Sequence, residues 1–222
     1  MNEIIFADRA HAGQLLAGAL KKYADRADVI VLGLPRGGVP VAYEVAKRLH
    51  APLDVMVVRK LGVPGWEELA MGAIASGGVR VINEDVVRGS NIPPESIERV
   101  AAAELEELHR REMIFRGHTG APDVKGKVVI LVDDGIATGS TIRAAVEALR
   151  QQQPAKIVVA VPTAAADSCD KLAPMVNELT ALMRPVYFHA VGQWYEDFQQ
   201  TTDAEVKRLM ENARALEPAH RE

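Results

Sequence analysis

The stretch VVILVDDGIATGSTIRAAVEAL, residues 128–149, decides the fold. An apolar run of strand length meets two adjacent aspartates, passes through a loop of small and hydroxyl-bearing residues, and enters a helix-like pattern expected over 140–152. Runs of the same kind recur as VIVLGL (29–34), LDVMVV (53–58) and KIVVAVP (156–162). Continuous Val/Ile/Leu runs suit parallel strands covered on both faces. Helical candidates lie between them, at 38–50 and before the first run, where Leu15, Leu16, Ala19 and Leu20 recur at helical spacing. A longer helix is expected over 95–116, opened by NIPPES, with Ile97, Val100, Leu105 and Leu108 towards one side and a solvated charged face opposite. Strands alternating with helices predict α/β layering.

The loop after the acids suggests an anion. Gly135, Ala137, Thr138, Gly139, Ser140 and Thr141 let the main chain approach closely, and a helix N-terminus offers unpaired N–H groups with a partial positive charge. Asp133 and Asp134 would repel a phosphate, so they ask for a ligand that also donates hydrogen bonds or carries a cation, as a sugar phosphate can. Alternatively, an acidic pair followed by Gly simply ends a strand and caps a helix. A Walker A loop is excluded because no Lys follows a suitable glycine, and G-x-G-x-x-G is absent. A D-x-D phosphatase pair does not match, since adjacent acids on a strand point to opposite faces.

The segment VILVDDGIATGST resembles the 5-phosphoribosyl-1-pyrophosphate (PRPP) signature of the type I phosphoribosyltransferases. The resemblance implies a Rossmann-like parallel sheet flanked by helices, with a small hood. It further implies that Asp133 and Asp134 hold the ribose hydroxyls and that Ala137, Thr138, Gly139, Ser140 and Thr141 cradle the 5-phosphate. Gly135 departs from the pattern, which more usually has an aliphatic residue or Ser there.

Two further loops fit the same resemblance. In GLPRGGVPVAYEVAKRLH (33–50), Arg36, Gly37 and Gly38 occupy the place of the pyrophosphate loop, although Pro and Gly also punctuate ordinary turns. In VVRKLGVPGWEELAMGAIASGG (57–78), Arg59 and Lys60 precede a Gly- and Pro-containing stretch expected to be mobile, like the family's closing catalytic loop. Their plainer reading is as surface charges beside a hydrophobic strand. Asp133, Asp134 and Lys60 are the expected catalytic residues, with Arg59 on the PRPP side. Magnesium is implied as a partner of PRPP, held mainly by the donor itself.

The chain of 222 residues carries 26 Lys plus Arg against 30 Asp plus Glu, a net charge of −4, which argues against a nucleic-acid or anionic-membrane surface. No apolar run reaches membrane-spanning length, the N-terminus lacks signal character, and Cys169 is the lone cysteine, so a cytoplasmic protein is expected. One domain is expected over 1–222, with a core at about 26–165 and a C-terminal hood at about 184–222. Within RPVYFHAVGQWYEDFQQTTDAEV, the residues Tyr187, Phe188, Trp194, Tyr195 and Phe198 form either a base-stacking hood or a packed flap or dimer contact. The expected reaction moves ribose 5-phosphate from PRPP to a nitrogenous acceptor with release of pyrophosphate; the alternative is a non-catalytic PRPP-binding regulator. The family commonly dimerises, which implies a homodimer. The acceptor is not legible.

Overall fold

The computed structural model describes residues 5–216; positions 1–4 and 217–222, the latter at the end of the expected hood, lie outside the described residues. Five strands form a parallel sheet: β1 (Val29–Gly33), β2 (Leu53–Val55), β6 (Val128–Val132), β7 (Lys156–Thr163) and β8 (Glu178–Met183), in the order β2-β1-β6-β7-β8. β1 and β6 are buried at every position, as their unbroken apolar sequences require of strands covered on both faces.

Two cores follow from that covering. On one face Val29, Val31, Ile130 and Val158 pack with α1 (Arg9–Ala19), α2 (Gly38–Leu49) and α7 (Asp203–Leu216). On the other, Ile30, Leu32, Val129, Leu131 and Val159 pack with α5 (Ser140–Gln151) and α6 (Ala166–Leu172). Each fully buried side chain of this size contributes about 1.5–3 kcal/mol. In α1 the buried face is Ala12, Leu16, Ala17 and Leu20; Leu15 and Ala19 turn outward, so the helix is rotated from the expected stripe.

The 53–58 run does not form one strand. β2 ends at Val55, the Met56 amide bonds to the Gly33 carbonyl, and the chain leaves the sheet as β3 (Val58–Val63), which pairs with β4 (Trp66–Ala75) and, through it, β5 (Val79–Ile82). The stretch expected to be a mobile loop is therefore an antiparallel sheet. Its Leu61, Met71 and Ile74 are buried against α4 (Pro94–Arg116), while α5 packs on it as well. A short helix, α3 (Glu84–Gly89), lies between β5 and α4. Leu108 of α4 is buried and Ile97, Val100 and Leu105 pack partly against the same core, while Arg110 and Arg111 pair with Glu107 on the exposed side, as expected.

Only part of the 184–216 segment lies over the strand ends. Trp194, Tyr195, Phe188 and Phe198 gather with Phe6 and Val191 into a small core of their own. Backbone bonds from Phe6 to Trp194 and from Glu196 and Asp197 to Phe6 and Ala7 tie it to the N-terminal segment. α7 instead covers α2 and α4. Packing therefore explains Trp194 and Tyr195, whereas Tyr187 is exposed.

Candidate functional site

The carboxyl ends of β1 and β6 lie side by side, with Gly33 opposite Val132 in the parallel register. Each strand runs directly into a loop and then a helix, α2 after β1 and α5 after β6. Neither helix has a side-chain cap: glycines, Gly37 and Gly139, stand at the cap positions. Both N-termini thus reach one edge of the sheet, as in ligand-binding parallel sheets. The Ser140 and Thr141 amides of α5 have no helical acceptor there, whereas in α2 the Gly38 and Val39 amides donate to the Leu34 and Arg36 carbonyls and Pro40 has no N–H.

The acidic pair sits beside them. β6 stops at Val132, so Asp133 and Asp134 lie past the ladder and do not diverge as strand neighbours would. Both face the 37–38 turn: a Cβ on Gly37 would lie 2.0 Å from Asp134 Oδ2, and one on Gly38 would lie 3.0 Å from Asp133 Oδ1 and 2.7 Å from the Val132 carbonyl oxygen. The glycines expected to bind pyrophosphate are required for the two loops to touch at all. The Pro35–Arg36 peptide bond in this turn is cis.

Asp133 Oδ1 accepts a 2.9 Å bond from the Asp134 amide. Asp134 Oδ2 accepts a 2.8 Å bond from Arg9 Nε, and the two side chains are only 14% and 12% exposed. Arg9 also donates to the Gln199 carbonyl at 2.7 Å, and its guanidinium lies 3.9 Å above the Phe198 ring. Burial, and then the neighbouring Asp134 charge, push the Asp133 carboxyl well above the ordinary carboxylate range. Burial raises Asp134 as well, against the opposing pull of Arg9. The Tyr195 hydroxyl donates a 2.6 Å bond to the Asp134 carbonyl oxygen, and burial raises its phenol, so it stays protonated.

The phosphate-type loop is held from behind. Ile136 bridges to Ala164, with its amide on the Thr163 carbonyl at 3.0 Å, and the Ser168 hydroxyl bonds the Ala137 carbonyl. Gly139 takes φ 73°, a conformation favouring glycine, which turns the chain into α5. Ala137, Thr138, Ser140 and Thr141 are exposed, and the Thr138 and Ser140 hydroxyls lie 3.3 Å apart. The unusual Gly135 also has a cause: a Cβ there would meet Val191 Cγ1 at 2.6 Å, so the hood demands its absence.

Three expected cations are placed differently from the acids. Arg36 stands in the turn with its Nη1 3.4 Å from Asp203 at the start of α7. Arg59 pairs with Glu104 of α4 at 2.7 Å, and exposed Lys60 lies 3.5 Å from Glu68 on its own hairpin. The structure thus brings together Asp133, Asp134, the 36–38 turn and the 137–141 loop, and sets Arg59 and Lys60 on the antiparallel sheet. Sequence reasoning missed Arg9 and Tyr195 as partners of Asp134; no local pattern marks a contact spanning 125 positions.

Residues 4–174 match the phosphoribosyl transferase domain family. The chain belongs to that family. Its fold is that of the type I phosphoribosyltransferases, and among solved structures it is similar to the crystal structure of TT1426 from Thermus thermophilus, with a TM-score of 0.84 and 42% identity over 93% of this chain and 98% of that one. A curated Mycobacterium tuberculosis (strain H37Rv) protein with a provisional phosphoribosyl transferase name is 48% identical over 209 residues, 94% of this chain and 47% of the relative. The phosphoribosyltransferase chain thus spans about half the length of that relative. The adenine phosphoribosyltransferase of Mycobacterium avium is 29% identical over 66% of this chain and 61% of its own.

Proposed function

We propose that this phosphoribosyltransferase takes PRPP as donor and transfers ribose 5-phosphate to a nitrogenous, nucleobase-like acceptor, releasing pyrophosphate. The observation that carries the reading is the convergence of two adjacent carboxylates and two glycine-capped helix N-termini at one sheet edge. A ligand with a diol between two phosphate groups matches that order of charges. In this reading Asp133 and Asp134 accept hydrogen bonds from the ribose hydroxyls, and the amides and hydroxyls of Ala137, Thr138, Gly139, Ser140 and Thr141 hold the 5-phosphate. Arg36 and the Gly37 amide receive the leaving pyrophosphate as negative charge builds on it, while Gly38, whose own amide donates to the Leu34 carbonyl, lets the loop come close. The anomeric C–O bond breaks, the C–N bond forms, and positive charge developing at the anomeric carbon is met by the acidic pair.

Magnesium fits this arrangement as an ion carried by the donor. The acidic pair would supply two carboxylates beside the diol, hard oxygen ligands of the few that such an ion takes from protein. Bound there, magnesium would neutralise diphosphate charge. Arg59 and Lys60 join only if the hairpin bends inward; the register shift around Gly62 is the place for such a bend. No helix among the described residues is long and apolar enough to cross a membrane. A cytoplasmic location and a homodimer belong to the same proposal.

Calorimetry with PRPP and magnesium, followed by pyrophosphate release across purines, pyrimidines and simple amines, tests the reading. Binding and release with one acceptor class is the expected result, and Asp134→Asn should weaken the donor at least about tenfold while the far-UV spectrum is unchanged. Binding without release from any acceptor supports the regulatory alternative, and no binding removes the donor from the account.

A further inference from the structure

Arg9 has no part in the sequence motifs, yet it is held by three partners at the strand ends. It meets Asp134 at 2.8 Å, the Gln199 carbonyl at 2.7 Å and the Phe198 ring at 3.9 Å. Holding a long side chain to three partners costs rotamer entropy, which a surface pair rarely returns. This pair is not on the surface, and it lies against the turn where a Cβ on Gly37 would come within 3.3 Å of Arg9 Nε. The fold fixes its place from two sides: the Asp8 side chain caps α1 through the His11 amide, and residues 6 and 7 pair in the backbone with 194–197. The charged groups around Asp134 are Asp133 on its own loop and Arg9 from α1, with the Tyr195 hydroxyl on its carbonyl from the hood; Arg36 is turned towards Asp203.

We propose that Arg9 is a positioning residue for the sugar-binding carboxylates: its guanidinium fixes Asp134 against Gly37 and offsets one of two adjacent negative charges, so that the pair presents a set geometry to a pentose diol. The inference rests on the donor reading above. Arg9 touches neither reacting atoms nor phosphates in this role; it acts through Asp134. A lysine would keep the charge but could not span carboxylate, carbonyl and ring together.

The test compares two probes by calorimetry in the full chain with magnesium: PRPP, and inorganic pyrophosphate, which has no sugar. Arg9→Gln should weaken PRPP by about tenfold or more and leave pyrophosphate within about twofold of wild type, with Arg9→Lys falling between. A purely structural role would change both probes alike or neither, and either result with a folded variant overturns the inference. If Arg9→Gln fails to fold, the same selective loss in Arg9→Lys decides the matter, and equal behaviour of the two probes there overturns it. A wild type that does not bind PRPP removes the donor reading itself, and Arg9's proposed role with it; loss of selectivity in the variants alone removes only the latter.

Discussion

At position 37 a single added carbon would sit 2.0 Å from an Asp134 oxygen, too close for any side chain to be tolerated without moving the carboxylate or the turn. Gly37→Ala should therefore abolish measurable PRPP binding by calorimetry while lowering the melting temperature only modestly. The Asp133 carboxyl, raised by burial and by Asp134, gives a second expectation. The folded protein binds this proton more tightly than the unfolded chain, so the stability it contributes is fully present below the unfolded value near 4 and is lost as pH rises through the higher folded value. Asp133→Asn should then melt a few degrees above wild type at pH 7.5, at about 2–4 °C per kcal/mol, with the difference shrinking towards pH 4. Such a gain alongside lost donor binding is the mark of a site held at the expense of stability. The placement of Asp133 and Asp134 between strand and loop was legible because the three are contiguous in sequence. Arg9 was not, because nothing near it records that residue 134 lies beside it.

The elements themselves were legible wherever periodicity was strong. β1, β6, β7, α2, α4 and α5 fall within a residue or two of their expected bounds. The 57–78 segment was not, because glycines, a proline and an exposed Trp66 disguise a hairpin whose inward residues are Leu61, Met71 and Ile74. Hydrogen exchange should show the paired amides of β3 and β4 protected well beyond those of the irregular segment 118–123, whereas a mobile loop would exchange as fast. At the end of α4, Arg116 is buried with Asp54 at 2.7 Å and Glu112, and it also donates to the Val55 carbonyl, fastening the helix to the short edge strand β2. Arg116→Met strands both carboxylates; chemical denaturation should show a loss of about 3–5 kcal/mol.

Across the molecule, charge is used far from the carboxyl ends of the strands as well. Burial would raise the Glu178 carboxyl, but Lys22, Tyr23 and Lys156 together bring it to about 2, joining the turn after α1, β7 and β8 at the amino-terminal side of the sheet. A lowered carboxyl stabilises the fold above its unfolded value near 4.5 and loses that contribution as pH falls towards 2. Glu178→Gln should thus cost about 1 kcal/mol at pH 7, after allowance for solvent screening, and nothing near pH 2, read by denaturant titration. The α/β architecture was legible as a whole, but the division of the C-terminal stretch into a roof and a flanking helix was not, since both parts bury apolar residues and only their neighbours tell them apart.

The clasp on Asp134 joins positions 125 and 190 residues apart. Contacts of that span form late, since the longest closures must wait for the segments between them. During biosynthesis the strands bearing the motif leave the ribosome well before residue 199 does, and domains fold broadly in the order of their synthesis. An immature polypeptide can therefore own its central pleats before residues 198 and 199 close over Arg9.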